Sequence, residues 1–198
     1  MIVFMDTDGG GGSPPTSTKW NPLDMVSGVV LSNGDLNAVR SSGSGWGSLR
    51  ATQGKSTGDR YFTVTVVQTT GGYVMIGVAN ANASLAKHLG QDAAAIMSAG
   101  VWSSGTLWYR LSVSQGSTPS TSYSNGAVIG VRVNFSTLTV TFYDDATGVS
   151  LASKIDTGSW TLPFYPAASL WPAGGSISNL NCGGPFGNLP AGASAWDS

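Results

Sequence analysis

The sequence predicts an all-β fold, a two-sheet antiparallel β-sandwich preceded by an extended N-terminal arm. Three observations carry this. Residues 125–143, NGAVIGVRVNFSTLTVTFY, hold two alternating stretches joined by a small polar turn. Ile129, Val131, Val133 and Phe135 fall on one side of the first stretch, and Leu138, Val140 and Phe142 repeat the pattern in the second. A period of two with one wet face is what a half-buried antiparallel strand requires. Second, 28 glycines among 198 residues, with abundant Ser and Thr, are too many for a helical protein and suit short strands joined by tight turns. Third, this length supports one substantial core and is short for two.

Residues 1–19 read as the arm. MIVFM is apolar for five residues, and DTDGGGGSPPTST is a spacer that is first flexible and then stiff. The compact domain occupies 20–198. Strands are predicted at 28–31, 36–40, 46–52 and 61–68, the last with Phe62, Val64 and Val66 on one face. The segment 73–79 follows Gly71-Gly72 and shares Val74, Ile76 and Val78 on one face, which predicts a hairpin with 61–68. Residues 80–100 are rich in alanine and predict one or two helical turns ended by Gly90, with Leu85 and Leu89 covering one end of the core. Strands resume at 106–113, 115–125 reads as a polar loop, and DDATG after Tyr143 is a turn. FYPAASLW at 164–171 and the segment 177–182 supply the last strands, and the closing residues, which show no period, are expected along the surface. More than ten short strands point to two packed sheets.

Charge and residue usage exclude several function classes. Net charge is −1, and the four lysines and five arginines are scattered singly, so no basic groove for nucleic acid is expected. All ten acidic residues are aspartates. Glutamate, the usual general acid of a retaining glycosidase, is absent. The aspartates are therefore read as solvated. Cys182 is the lone cysteine, expected as a small buried hydrophobe. His88 is the lone histidine, expected on the surface, so His-based zinc sites and Ser-His-Asp machinery have almost nothing to draw on. The N-terminal run is far short of the about 20 apolar residues of a membrane span and lacks the basic start of a signal peptide. Synthesis in the cytoplasm and no membrane insertion are the expectation. Gly9 to Gly12 lack the following lysine of a phosphate loop, and no cofactor is expected. Asp144 and Asp145 are considered as calcium ligands, although DDATG lacks the spacing of a calcium loop.

Five motifs in order give the chain a resemblance to the SPRY (B30.2-like) family, running from about Trp20 to Pro190. They are Gly54-Lys55 followed by Tyr61-Phe62-Thr63-Val64; Val74-Met75-Ile76-Gly77-Val78; Gly126-Ala127-Val128-Ile129-Gly130-Val131 with Phe142-Tyr143-Asp144-Asp145; Phe164 to Leu170; and Asn181-Cys182-Gly183-Gly184-Pro185-Phe186. The chain departs from the pattern where Asp-Asp-Ala-Thr-Gly replaces an Asn-Gly turn and where Cys182 replaces an aromatic residue. The resemblance implies a concanavalin A-like jelly roll that acts as a binding or scaffold module and not as an enzyme. The lysine-poor, Ala/Gly/Ser/Thr-rich style, the arm and the PAGASAW tail resemble bacteriophage virion proteins that carry this domain.

The expected function is therefore a non-enzymatic virion component, a capsid or tail decoration protein whose partners are other virion proteins and further copies of itself. Ile2, Val3, Phe4 and Met5 are the candidate assembly arm, adding as a strand to an exposed sheet edge of a neighbour. The alternative is an adhesion protein that contacts a host-surface glycan or protein. Trp102, Trp108 and Trp160, with Asp144 and Asp145, are its candidate loop residues, because an exposed indole can stack on a sugar or anchor a protein contact. Trp46 and Trp171 belong to the same group, whereas Trp20 and Trp196 are expected to close the domain edges. A jelly-roll carbohydrate-active enzyme is the remaining reading, with Asp144, Asp145 and Asp156 as its candidates.

Overall fold

The computed structural model describes residues 17–69, 73–92 and 96–198. Through them run β1 (Trp20–Met25), β2 (Val29–Ser32), β3 (Asn37–Arg40), β4 (Gly47–Ala51), β5 (Asp59–Gln68), β6 (Tyr73–Asn80), β7 (Ser98–Trp102), β8 (Thr106–Arg110), β9 (Gln115–Pro119), β10 (Val128–Asn134), β11 (Thr139–Asp144), β12 (Val149–Ile155), β13 (Phe164–Trp171), β14 (Ser176–Asn181) and β15 (Ser194–Ala195). They form two antiparallel sheets, one in the order β1-β4-β13-β6-β7-β8-β9 and the other β12-β11-β10-β5-β14-β3-β2. The predicted all-β sandwich is the observed fold, and the described residues contain no helix.

Alternation builds the core. Ile129, Val131 and Val133 of β10 are fully buried, as are Val140 and Phe142 of β11, in register Val131 opposite Phe142 and Val133 opposite Val140. On the other flank of β10, Val131 faces Phe62 and Ile129 faces Val64 of β5. Val74, Ile76 and Val78 of β6 and Ala168 and Leu170 of β13 close the core from the opposite sheet. Each such aliphatic side chain contributes roughly 1.5–3 kcal/mol on burial.

The pairing of β5 with β6 differs from the predicted hairpin. β5 lies between β10 and β14, whereas β6 lies between β13 and β7 in the other sheet. Both strands present an apolar face, and the two faces are buried against each other by placing the strands in opposite sheets. The helical turns expected in 80–100 are replaced by turns over 81–92 and by β7, while 93–95 lie outside the described residues. Gly90 has φ of +85° and a Cβ there would meet the backbone of Trp108 and Tyr109 at 2.6 Å, so it serves a close approach of this loop to β8.

The expected polar loop 115–125 contains β9, and β1 and β12 are further strands that the pattern does not announce. All three lie at sheet edges, where one missing neighbour relaxes the demand for alternation. The tail is also more deeply built in than a surface run. β15 pairs in parallel with Arg60 and Tyr61 of β5, continuing the row that β14 begins. Trp196 and Trp20, expected at the domain edges, are instead fully buried in the core, Trp196 edge-on to Phe62 at 5.3 Å. Thr18 is buried and bonds the Asp197 carboxylate, so the tail and the start of the described chain hold each other.

Candidate functional site

The outer face of the seven-stranded sheet is where the sequence and the fold concentrate unusual chemistry. In β13 and β6 alternate residues leave the core for this face, and register sets Ser169 beside Met75 and Trp171 beside Tyr73. Met75 in turn faces Trp102 of β7, and Ser48 of β4 faces Ser169. The loop 81–92 straps across one end of this face. Ser48 N–H donates to Leu85 O at 2.8 Å, Leu89 N–H to Ser169 Oγ at 3.1 Å and Gly90 N–H to Ser98 Oγ at 2.8 Å. Arg50 joins β1, β4 and the strap. Its guanidinium is bidentate to Asp24 at 2.6 and 2.7 Å and donates to the carbonyls of Asn80 and Ala83. Leu89 lies over Gly100, where a Cβ would meet its side chain at 2.8 Å. Met75, Ala79, Ala83, Leu89 and Ala167 thus form a second, smaller core outside the sandwich.

At the other end the face is left to aromatic rings. Tyr73 and Trp171 stack at 5.5 Å with an interplanar angle of 13°. Trp46 lies 6.0 Å from Trp171 at 31° and 6.5 Å from Tyr73 at 29°. Trp102 leans on Tyr73 at 4.7 Å and on Trp46 at 5.5 Å. Tyr73 is 37% exposed and Trp46, Trp102, Trp108 and Trp171 are half-buried. Trp171 Nε1 donates to Ser44 O at 2.9 Å, whereas the indole N–H groups of Trp102 and Trp108 are buried without an acceptor among the described residues.

His88, expected on the surface, is buried at the junction of strap and rings. Its imidazole lies 5.1 Å from Trp46, 5.8 Å from Trp102 and 5.1 Å from Trp108, with Nδ1 2.8 Å from Leu89 O. Burial holds its pKa below the ordinary histidine value. Of the sequence-predicted residues, Trp102 and Trp108 come together here with Trp46 and Trp171. Tyr73 and His88 were missed. Tyr73 carries no local signal beyond its place after two glycines, and its role depends on Trp171, its partner in a strand far along the chain.

The remaining candidates lie elsewhere. Trp160 is a core residue, packed edge-on to Phe164 at 4.9 Å, and its Nε1 donates to Asp156 at 3.0 Å. Asp145 and Asp156 are not solvated, as expected, but buried. Asp145 accepts from Tyr61 Oη at 2.7 Å, Gly187 N–H at 2.8 Å and Asn188 N–H at 3.2 Å. Burial and the neighbouring carboxylate push the Tyr61 hydroxyl well above the ordinary tyrosine range. Asp156 accepts from the Ser112 hydroxyl and N–H and from Trp160. Burial acts to raise its pKa, but these hydrogen bonds outweigh it and hold the carboxyl below the usual range. Asp92 is buried too, and desolvation raises it. Asp144 caps its turn, accepting from the N–H groups of Ala146 and Thr147. Among the described residues no group of three or more metal-ligating side chains is placed to hold an ion. Cys182 is buried, and desolvation pushes its thiol up. The candidate arm, Ile2, Val3, Phe4 and Met5, lies outside the described residues.

Comparison with curated proteins finds no match. Among solved structures the chain is similar to the SPRY domain of human HERC1, at 15% identity and a TM-score of 0.62, covering 82% of this chain and 97% of that one. It is also similar to a human SPRY domain, at 17% identity and a TM-score of 0.61 over 79% of this chain and 96% of the other. Stonustoxin matches at 19% identity and a TM-score of 0.60, with 82% of this chain covering 26% of the toxin chain. The model of the SPRY domain family matches residues 59–183. The chain belongs to the SPRY domain family, whose members are in general protein-interaction modules.

Proposed function

We propose that this SPRY domain is a non-enzymatic binding module of a bacteriophage particle, a capsid or tail decoration or accessory protein held by contacts with other virion proteins and with copies of itself. The observation that carries the reading is the contrast between the open ring face and the engaged carboxylates. Asp24, Asp35 and Asp59 are in ion pairs with Arg50, Lys19 and Arg132. Asp92, Asp144, Asp145, Asp156 and Asp197 accept hydrogen bonds that hold loops and turns. No pair of them shares an open cleft of the kind that acid–base hydrolysis needs, whereas half-exposed tryptophan and tyrosine are the side chains that anchor interfaces. Scattered charge supports protein partners in preference to nucleic acid.

The arm is the proposed tether. Ile2 to Met5 can add as a strand to a neighbour, and the edge strands of the two sheets are β1 and β9 in one and β12 and β2 in the other. Ordering the glycines that follow costs conformational entropy, which favours a multi-copy setting supported by avidity. In this reading the protein is made in the host cytoplasm and ends in the virion. Deleting residues 1–16, which spares Thr18 and Lys19, and quantifying the chain in purified particles tests it. The deletion is expected to abolish incorporation, and unchanged incorporation would sink the tether. A second reading, adhesion to a host-surface glycan or protein, is favoured by the stacked rings of Tyr73 and Trp171.

A further inference from the structure

We propose that the ring face is a site for neutral carbohydrate, taking the flat C–H face of hexopyranose units in a glycan chain. The inference rests on the reading of this domain as a binding module, and it is independent of where the module is carried. Three observations converge on this ligand class. Tyr73, Trp171 and Trp46 lie within 31° of one another in orientation, with centroids 5.5 to 6.5 Å apart, so they form a stepped platform of near-parallel, offset rings with part of each left exposed. Aromatic rings carry partial negative charge on their faces, and the polarised C–H bonds on one side of a pyranose present the complementary charge to such a surface.

The loops that bear these rings hold no charged residue. They are SSGSGWG at 41–47, WSSGT at 102–106 and WPAGGS at 171–176. Arg40 packs against Gly43 and Gly47 but is buried and donates to Ser27 O, so an anionic sugar or an acidic peptide would find no exposed counter-charge in them, while a neutral polyol loses little on leaving water for hydroxyls and peptide groups. Those loops also supply the hydrogen-bonding rim: Ser44, whose carbonyl already fixes Trp171, and Ser104 are exposed on either side of the platform. Small, scattered polar groups that fix orientation around an aromatic floor are the general form of a ligand site.

Affinity electrophoresis of the full chain in native gels containing dextran, mannan or galactan, with heparin as the charged control, tests the proposal. Retardation is expected in at least one neutral gel and not in heparin. Tyr73→Ala and Trp171→Ala should each weaken it by about tenfold, the scale of one lost aromatic contact, with Tyr73→Ala still unfolding cooperatively because that ring is the most exposed of the set. No retardation in any neutral gel, retardation in heparin alone, or retardation untouched in both variants would each overturn the assignment. Particle incorporation of Tyr73→Ala separates this from the proposed function. Retardation in a neutral gel that Tyr73→Ala weakens supports this inference whatever the incorporation; lost incorporation without sugar binding in the parent would make the face a protein contact, leaving the virion reading intact and this inference wrong.

Discussion

Asp145 illustrates how far a single residue's environment can depart from its local sequence. Two adjacent aspartates in DDATG read as a solvated turn, and Asp144 fits that reading. Asp145 does not, because Tyr61, 84 residues away, and Gly187, 42 residues away, converge on its carboxylate. Gly130 makes room for the arrangement: a Cβ there would fall on the Tyr61 ring. Asp145→Ala should leave the buried Tyr61 hydroxyl without an acceptor, at a cost of about 1–3 kcal/mol for that donor alone. Adding Tyr61→Phe removes the orphaned donor, so the double variant should be less destabilised than the sum of the two single changes. Urea denaturation reads this directly, and strict additivity would show that the two groups are not coupled. The same limit applied to Trp160 and Asp156, whose burial depends on a strand turn and on Ser112 in a distant loop. Residue type alone does not carry that information.

At the scale of elements, strands with two neighbours and one apolar face were legible, except β7, whose start fell in the stretch read as helical turns. β5, β6, β8, β10, β11 and β13 follow from alternation, because a one-residue slip would turn each apolar set to solvent. Among edge strands only β2, expected at 28–31, was legible; β1, β9 and β12 were not, and β9 is polar along most of its length and needs only one partner. Nor was the strap over 81–92, since its shape is set by hydrogen bonds to Ser48, Ser98 and Ser169 that no period encodes. Burying His88 under this strap gives it a pH dependence. The folded-state pKa lies below the unfolded value, so the neutral ring is favoured on folding. The corresponding stability is present above about pH 6.5, the unfolded value, and is lost as pH falls through that value toward the folded one. Asp92, which also lies in the strap, shifts upward and acts in the opposite sense, at the lower pH where carboxyls titrate. The melting temperature should therefore fall between pH 7.5 and 5.5. In His88→Gln most of that fall should vanish. A fall of equal size in the variant would place the effect outside the strap.

The whole molecule shows which parts of a binding module a sequence exposes. The sandwich and the family are written in ordered motifs, because each motif lies in or beside a strand that both sheets need. The ring face is written only in part: the tryptophans are visible, but their gathering requires β4, β13, β6 and β7 to be neighbours, an order that the chain does not follow. The fold thus pairs a well-packed body with one open aromatic end, the sequence adds an arm rich in glycine and proline, and the proposed role in a phage particle combines these two surfaces. Quantitative mass spectrometry of purified particles tests that role most directly. The account predicts this chain in many copies per particle, retained through washing at high salt because its contacts do not rest on charge. Absence of the chain from intact particles would contradict it.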